Sequence, residues 1–122
     1  MKAGKTGIGR IIDATGHSFR GIRACWDHES AFRQDVILSV VLFIASFFLA
    51  RSAEQWLLLV IPLFLILMVE LLNSAIENAV DRIGTERHHL SGRAKDMGSA
   101  AVFFCLILIA LSWITIAWKN LT

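Results

Sequence analysis

An all-α membrane fold, with three spanning helices behind an N-terminal amphipathic surface helix, is what this 122-residue sequence predicts. Three observations point to it. Hydrophobic residues make up 56% of the chain and proline occurs once, which leaves room for one domain and little loop. Three segments, about 31–50, 56–80 and 97–118, each come close to the ~20 apolar residues that a helix needs to cross a bilayer. Lys and Arg also sort by segment: Lys2, Lys5, Arg10, Arg20, Arg23 and Arg33 precede or open the first span, and Arg82, Arg87, Arg93 and Lys95 join the second to the third. Only Arg51 and Lys119 are left for the other side. The positive-inside rule then makes the N-terminus and the second connection cytosolic and places the C-terminus outside.

The surface helix is expected over about 7–29. Ile8, Ile11, Ile12, Phe19, Ile22 and Trp26 recur mostly at three- and four-residue steps, with Arg10, Asp13, His17, Arg20 and Asp27 mostly between them. That pattern suits a helix lying in the membrane interface. Gly7, Gly9, Gly16 and Gly21 weaken it by about 1 kcal/mol each relative to Ala, which predicts a broken or mobile helix. Lys2 and Lys5 are followed by a mixed charged segment and not by a short apolar run, so no cleaved signal peptide is expected.

The first span carries Arg33 and Asp35 at its start, and Arg51-Ser-Ala-Glu-Gln55 is the polar turn to the second. The two spans are therefore an antiparallel hairpin. Trp56 stands where indoles favour the interface, and Pro62 frees a carbonyl for a neighbouring helix to satisfy. The polar connection Asp81–Asp96 offers Ser91 or Asp96 as the cap of the third helix. In that helix Ala94, Gly98, Ser99 and Ala101 allow another helix close approach, while Trp113 and Trp118 mark the outer interface. Cys25 and Cys105 suggest no disulfide, and Asn120-Leu-Thr122 reads as a chance glycosylation match at the chain end.

Chemistry concentrates in Glu70-Leu-Leu-Asn-Ser-Ala-Ile-Glu77. Glu70, Asn73, Ser74, Glu77 and Asp81 share one helical face, since steps of three, four, seven and eleven return near the starting direction. An ionised carboxylate costs roughly 2.5–3.5 kcal/mol near the bilayer centre, so two of them on one span imply a task. Measured from Trp56 at about 1.5 Å per residue, Glu70 lies about 21 Å deep and Glu77 about 31 Å, against a hydrocarbon core of about 30 Å. A lipid hydroxyl sits near the first level, and a water-soluble phosphate donor reaches the second. A carboxylate in partly apolar surroundings takes a proton more readily, which fits Glu70 to receive one from an alcohol. Glu77 is placed to hold a cation, with Glu29 as the natural second ligand, because Mg²⁺ on donor phosphates needs only one or two carboxylates. Lys95 can neutralise phosphate charge and Asp96 can orient it. There is no Walker A or Gly-rich phosphate loop. A metal pair of His88 and His89 is disfavoured, because adjacent helical side chains diverge.

Arg10-Ile-Ile, Glu29 with Ala31-Phe-Arg-Gln34, Val69-Glu-Leu-Leu-Asn-Ser-Ala-Ile-Glu77, Val80-Asp-Arg-Ile-Gly84 and Leu90-Ser-Gly-Arg-Ala-Lys-Asp-Met-Gly-Ser-Ala-Ala-Val102 together resemble the small integral-membrane diacylglycerol kinases of bacteria. The resemblance spans nearly the whole chain. It implies transfer of the ATP γ-phosphate to the free hydroxyl of diacylglycerol, giving phosphatidic acid, by a homotrimer in the bacterial inner membrane with composite sites between protomers. It also implies Glu70 as the catalytic base and Glu29 and Glu77 as ligands of the Mg²⁺ that accompanies ATP. The implied nucleotide site comprises Arg10, His17, Glu29, Glu77, Glu86, Arg87, His88, Lys95 and Asp96. For the lipid, the implied residues are Arg10, Ser18, Trp26, Ala31, Arg33, Gln34, Phe48, Trp56, Glu70, Ser99 and Trp113, with Asn73 in support. His17 and Arg87 stand where aromatic residues are common in the family, and the chain has no Tyr.

A sister group of the same fold phosphorylates undecaprenol, but the Asp-Arg-Ile-Gly and Ser-Gly-Arg-Ala-Lys-Asp-Met-Gly-Ser segments are more similar to the diacylglycerol enzymes. In a different class, a small proton-coupled transporter explains an intramembrane acid. It leaves Glu29, Glu77, Lys95 and Asp96 unexplained, and transporters place their acid nearer the midplane. No nucleic-acid partner is expected.

Overall fold

The computed structural model describes residues 6–84 and 88–122, and these form four helices: α1 (Gly7–His28), α2 (Ser30–Leu49), α3 (Ala53–Ile83) and α4 (His89–Leu121). The last three are long and apolar enough to cross a membrane. At about 1.5 Å per residue, the 31-residue α3 and the 33-residue α4 outreach a hydrocarbon core of about 30 Å by a good 15 Å, so their polar ends extend beyond it.

Glu29 makes the elbow between α1 and α2. Its extended backbone (φ −121°, ψ 108°) breaks the helical run, while its N–H still bonds Cys25 O at 2.9 Å. Arg33 fastens the elbow from above, its Nη1 donating to the Trp26 carbonyl at 2.6 Å. The four glycines do not break α1, which is continuous from Gly7. Only Gly7, at its first position, has a positive φ (62°), and the propensity penalty lowers the helix's stability without ending it.

At the hairpin the Ser52 hydroxyl caps α3 by accepting from Gln55 N at 3.1 Å. At the start of α4 the capping residue is His88, whose Nδ1 accepts from Leu90 N at 3.1 Å. This corrects the expectation of Ser91 or Asp96: both lie inside α4, because the helix begins about two turns before the apolar stretch does.

The buried residues of α4 are Gly98, Cys105, Ile109, Ile116 and Asn120, and those of α2 are Phe32, Ser39 and Ser46. Steps of seven and four are the 3.5-residue repeat of a left-handed seam, and Gly, Ser and Cys at these positions let backbones approach. Both seams close on α3, whose Leu63 and Ile66 form the core with Cys105 and Ile109. Around this core, Ile37, Val41, Ile44, Phe47, Phe64, Phe103, Phe104 and Leu111 are exposed. A lipid environment suits such an apolar outer face. Pro62 lacks the N–H that bonds the Leu58 carbonyl, and in the same turn Trp113 Nε1 donates to the Leu59 carbonyl at 3.0 Å. Trp113 thus serves as an α3–α4 tie.

Candidate active site

The polar face of α3 turns into the bundle at one level. Glu70 is only 6% exposed and Ser74 is equally buried, Asn73 and Glu77 are half-buried, and Asp81 is exposed. One chain therefore covers Glu70 by itself, since α2 and α4 both close over this face. The carboxyl groups of Asp35 on α2, of Glu77 on α3 and of Glu29 at the elbow are the acidic groups around Glu70. Helix periodicity collects Glu70 and Glu77, and the elbow swings Glu29 towards them.

Cys25 Sγ donates to Ser74 Oγ at 3.4 Å, joining α1 to α3 beside Glu70. Burial pushes the Cys25 thiol above its ordinary range, which keeps it protonated as a donor at neutral pH. Alongside runs a groove of about 750 Å³ between α1 and α3, with Ser18, Cys25, His28, Glu29, Ser74 and Asn78 in its lining. It leads from the surface of α1 to Glu29 and is mostly apolar, with a few polar groups along it.

Further along α3, Lys95 Nζ reaches Asp81 Oδ1 at 2.8 Å and also feels Glu77. Its carboxylate partner is thus Asp81 across the helix pair, while Asp96 is exposed. His88 and His89 stack with ring centroids 4.7 Å apart. They do not diverge, because His88 lies outside the helix as its cap. An open groove of about 350 Å³ lies beside His88, Ser91 and Gly84. Among the described residues no three His, Cys, Asp or Glu side chains cluster as a metal cage. Glu29 and Glu77 supply two carboxylates, the number Mg²⁺ takes when phosphates and water fill its other positions.

The remaining sequence-predicted residues spread more widely. Arg10, His17, Ser18 and Trp26 are exposed on α1, and His17 Nδ1 meets Arg20 Nη2 at 2.6 Å. Ala31, Gln34 and Ser99 are exposed, as is Phe48, which projects from the far end of α2. Arg33 is committed to the α1 carbonyls. Trp56 packs against Phe43 and Phe47, with centroids 6.2 and 5.5 Å away. Glu86 and Arg87 lie outside the described residues.

Asp35 and Asn120 gain places in the bundle that their sequence positions did not announce, and Gly98 makes the close helix approach expected of it. Asp35 is a charged residue on the buried Phe32–Ser39 face of α2, and that spacing was the available signal. Gly98 packs against Asn73, where an added Cβ would collide with Asn73 Oδ1. Asn120 is buried and donates to Leu49 O at 2.7 Å and to Gln55 Oε1 at 2.8 Å.

The site can be set beside known proteins. Residues 16–117 match the family described as prokaryotic diacylglycerol kinase. A diacylglycerol kinase of Escherichia coli K12 is 45% identical over 98% of both chains. One from Pseudomonas aeruginosa is 51% identical over 93% of this chain and 92% of its own, and one from Haemophilus influenzae is 44% identical over 88% and 92%. With a buried glutamate on a spanning helix, flanked by further carboxylates and matched to these relatives along nearly its whole length, the chain belongs to the prokaryotic diacylglycerol kinase family.

Proposed function

We propose that the chain is an ATP-dependent lipid kinase that moves the γ-phosphate of ATP to the hydroxyl of diacylglycerol and releases phosphatidic acid at the inner leaflet. The observation that carries this reading is Glu70, buried on α3 two turns before Glu77 in a chain of this family. Its depth fits a lipid alcohol, while the end of α4 with exposed His88 and half-exposed Lys95 fits a water-soluble donor.

Glu70 takes the proton from the lipid hydroxyl as its oxygen attacks phosphorus in line. Glu29 and Glu77 would hold the Mg²⁺ of the nucleotide, and Lys95 offsets charge on the phosphates. When bound, the metal screens the phosphate oxygens and fixes their orientation. Asn73, against Gly98, supports the wall of the site. The α1–α3 groove admits the lipid beside Ser18 and Trp26, and Arg10, His17, Glu86, Arg87 and Asp96 line the approach of the nucleotide. The protein works as a homotrimer in the bacterial inner membrane, with the N-terminus cytosolic and the C-terminus outside. Support for this comes from the family resemblance and from the sorting of Lys and Arg.

The test is the transfer of ³²P from Mg-[γ-³²P]ATP into lipid by the purified protein in bilayers, with diacylglycerol and undecaprenol offered in parallel. Label in phosphatidic acid is expected. Label in the polyprenol alone moves the chain to the sister activity, and label in neither discards the kinase reading in favour of transport.

A further inference from the structure

Between the last residue of α1, His28, and the first of α2, Ser30, Glu29 carries the whole turn. Its backbone is tied on both sides: its N–H donates to the Cys25 carbonyl at 2.9 Å, and its carbonyl accepts from Arg33 N at 3.3 Å. A helix that stops this abruptly leaves its last carbonyls without partners of their own. Those of Trp26 and Asp27 are taken by one side chain, Arg33, whose Nη1 lies 2.6 and 3.4 Å away. Arg33 stands in the first turn of α2, where that helix's dipole disfavours a cation, whereas the carbonyl end of α1 favours one. The Asp27 carboxylate, beside those carbonyls, is paired instead with Arg23 at 3.6 Å. What Arg33 meets there is therefore backbone. The groove that leads to Glu29 takes its lining from α1, from Glu29 itself and from α3, with none from α2.

We propose that Arg33 is the positioning residue for Glu29: by closing the carbonyl end of α1 it fixes the elbow, and with it the direction in which the Glu29 carboxylate meets the divalent cation of the nucleotide. The role rests on the reading of Glu29 as a metal ligand. It differs in its consequences from a lipid contact at Arg33, which the resemblance implies. A residue that grips the lipid sets KM for diacylglycerol, while one that aims a metal ligand sets the affinity for the cation. Without the guanidinium, the Trp26 and Asp27 carbonyls lose their partner, and the extended Glu29 backbone keeps only its two main-chain bonds. The Cys25–Ser74 bond still ties α1 to α3, so the change is confined to the elbow.

Arg33→Ala, Arg33→Lys and Glu29→Gln in the full-length protein in bilayers test the role. The first readout needs no turnover: Mn²⁺, which takes the same oxygen ligands as Mg²⁺, is titrated in with a non-hydrolysable ATP analogue, and the protein-bound ion is followed by electron paramagnetic resonance. Arg33→Ala should weaken Mn²⁺ binding about tenfold, the scale for losing a group that orients a metal ligand. Arg33→Lys should recover most of that loss, because its ammonium can still donate to the Trp26 carbonyl. Hydrogen exchange should be faster at the Glu29 and Arg33 amides of Arg33→Ala and unchanged along α3 and α4. In the kinase assay, the Mg²⁺ needed for half-maximal rate should rise by the same factor as the Mn²⁺ affinity falls, with KM for diacylglycerol unchanged. Wild-type Mn²⁺ binding in Arg33→Ala, a lysine variant as weak as the alanine one, or a loss carried by KM for diacylglycerol would overturn the proposal. If Glu29→Gln binds Mn²⁺ as wild type does, the metal role of Glu29 fails and the positioning role fails with it. If wild type transfers no label, the kinase reading fails by itself, and the Mn²⁺ titration still decides the part played by Arg33.

Discussion

At the hairpin end of the bundle, Asn120 donates to Leu49 O and to Gln55 Oε1, Arg51 donates to the Asn120 carbonyl, and Gln55 Oε1 also accepts from Arg51 N at 2.9 Å. At the Glu70 end, Asp35 Oδ2 and Asn73 Oδ1 are buried with no donor among the described residues, and carboxylates face carboxylates. Both sets of groups lie along the one bundle of α2, α3 and α4. The difference is that the hairpin set completes its hydrogen bonds inside one chain, as buried polar groups do when they serve the fold. Incomplete bonding at the other end marks groups kept for something the chain does not itself contain. Trp56 Nε1 and Ser39 Oγ are likewise without partners among the described residues, but as single groups amid apolar neighbours. The concentration of acids around Glu70 carries the distinction.

Glu70→Gln is expected to have the largest effect, a loss of about 10²–10⁴ in turnover, the usual worth of a positioned general base, while the protein inserts and unfolds as wild type does. Radiolabel transfer and denaturant unfolding on one preparation check it, and an unfolded variant would mean that Glu70 belongs to the structural set. Glu77→Gln should raise the Mg²⁺ needed for half-maximal rate by about tenfold or more, the scale seen when support for a metal site is removed. Titration of activity with Mg²⁺ after chelation measures this, and an unchanged requirement would take Glu77 out of the metal site. Gly98→Ala puts a methyl group onto Asn73 and should destabilise the α3–α4 seam by about 1–3 kcal/mol, the range for overpacking. Its turnover should fall as well, because Asn73 borders the site; intact stability and rate would show that Asn73 can rotate away freely. Asn120→Ala removes hydrogen bonds worth about 0.6–1.5 kcal/mol each and should lower unfolding stability by about 1–2 kcal/mol, with turnover per folded protein within twofold.

Periodicity carries the fold in this sequence. The spacing of Ile8 to Trp26, the apolar runs and the Ser52 turn define four helices that the structure also contains. Glu70 and Glu77 read as one acidic stripe because helical steps return them to one face two turns apart, and the junction puts Glu29 at the inner end of the bundle. Asp35 reads as a charge at the start of a span, but its place near Glu70 depends on the register between α2 and α3, and a single sequence does not contain that register. Asn120 was hidden for a related reason: a polar residue near a chain end reads as solvated until the fold brings the α2–α3 hairpin against it. The cap at His88 escaped because its imidazole accepts through Nδ1 as Ser or Asp would, a use of histidine that composition does not announce.

The most direct test of the division between a catalytic end and a structural end is to measure turnover and unfolding free energy on the same bilayer samples of Glu70→Gln and Asn120→Ala. The expected result is a double dissociation: Glu70→Gln loses turnover and keeps stability, and Asn120→Ala loses stability and keeps turnover. If both variants lose both properties together, the two ends are one cooperative unit, and the assignment of Glu70 to chemistry is contradicted.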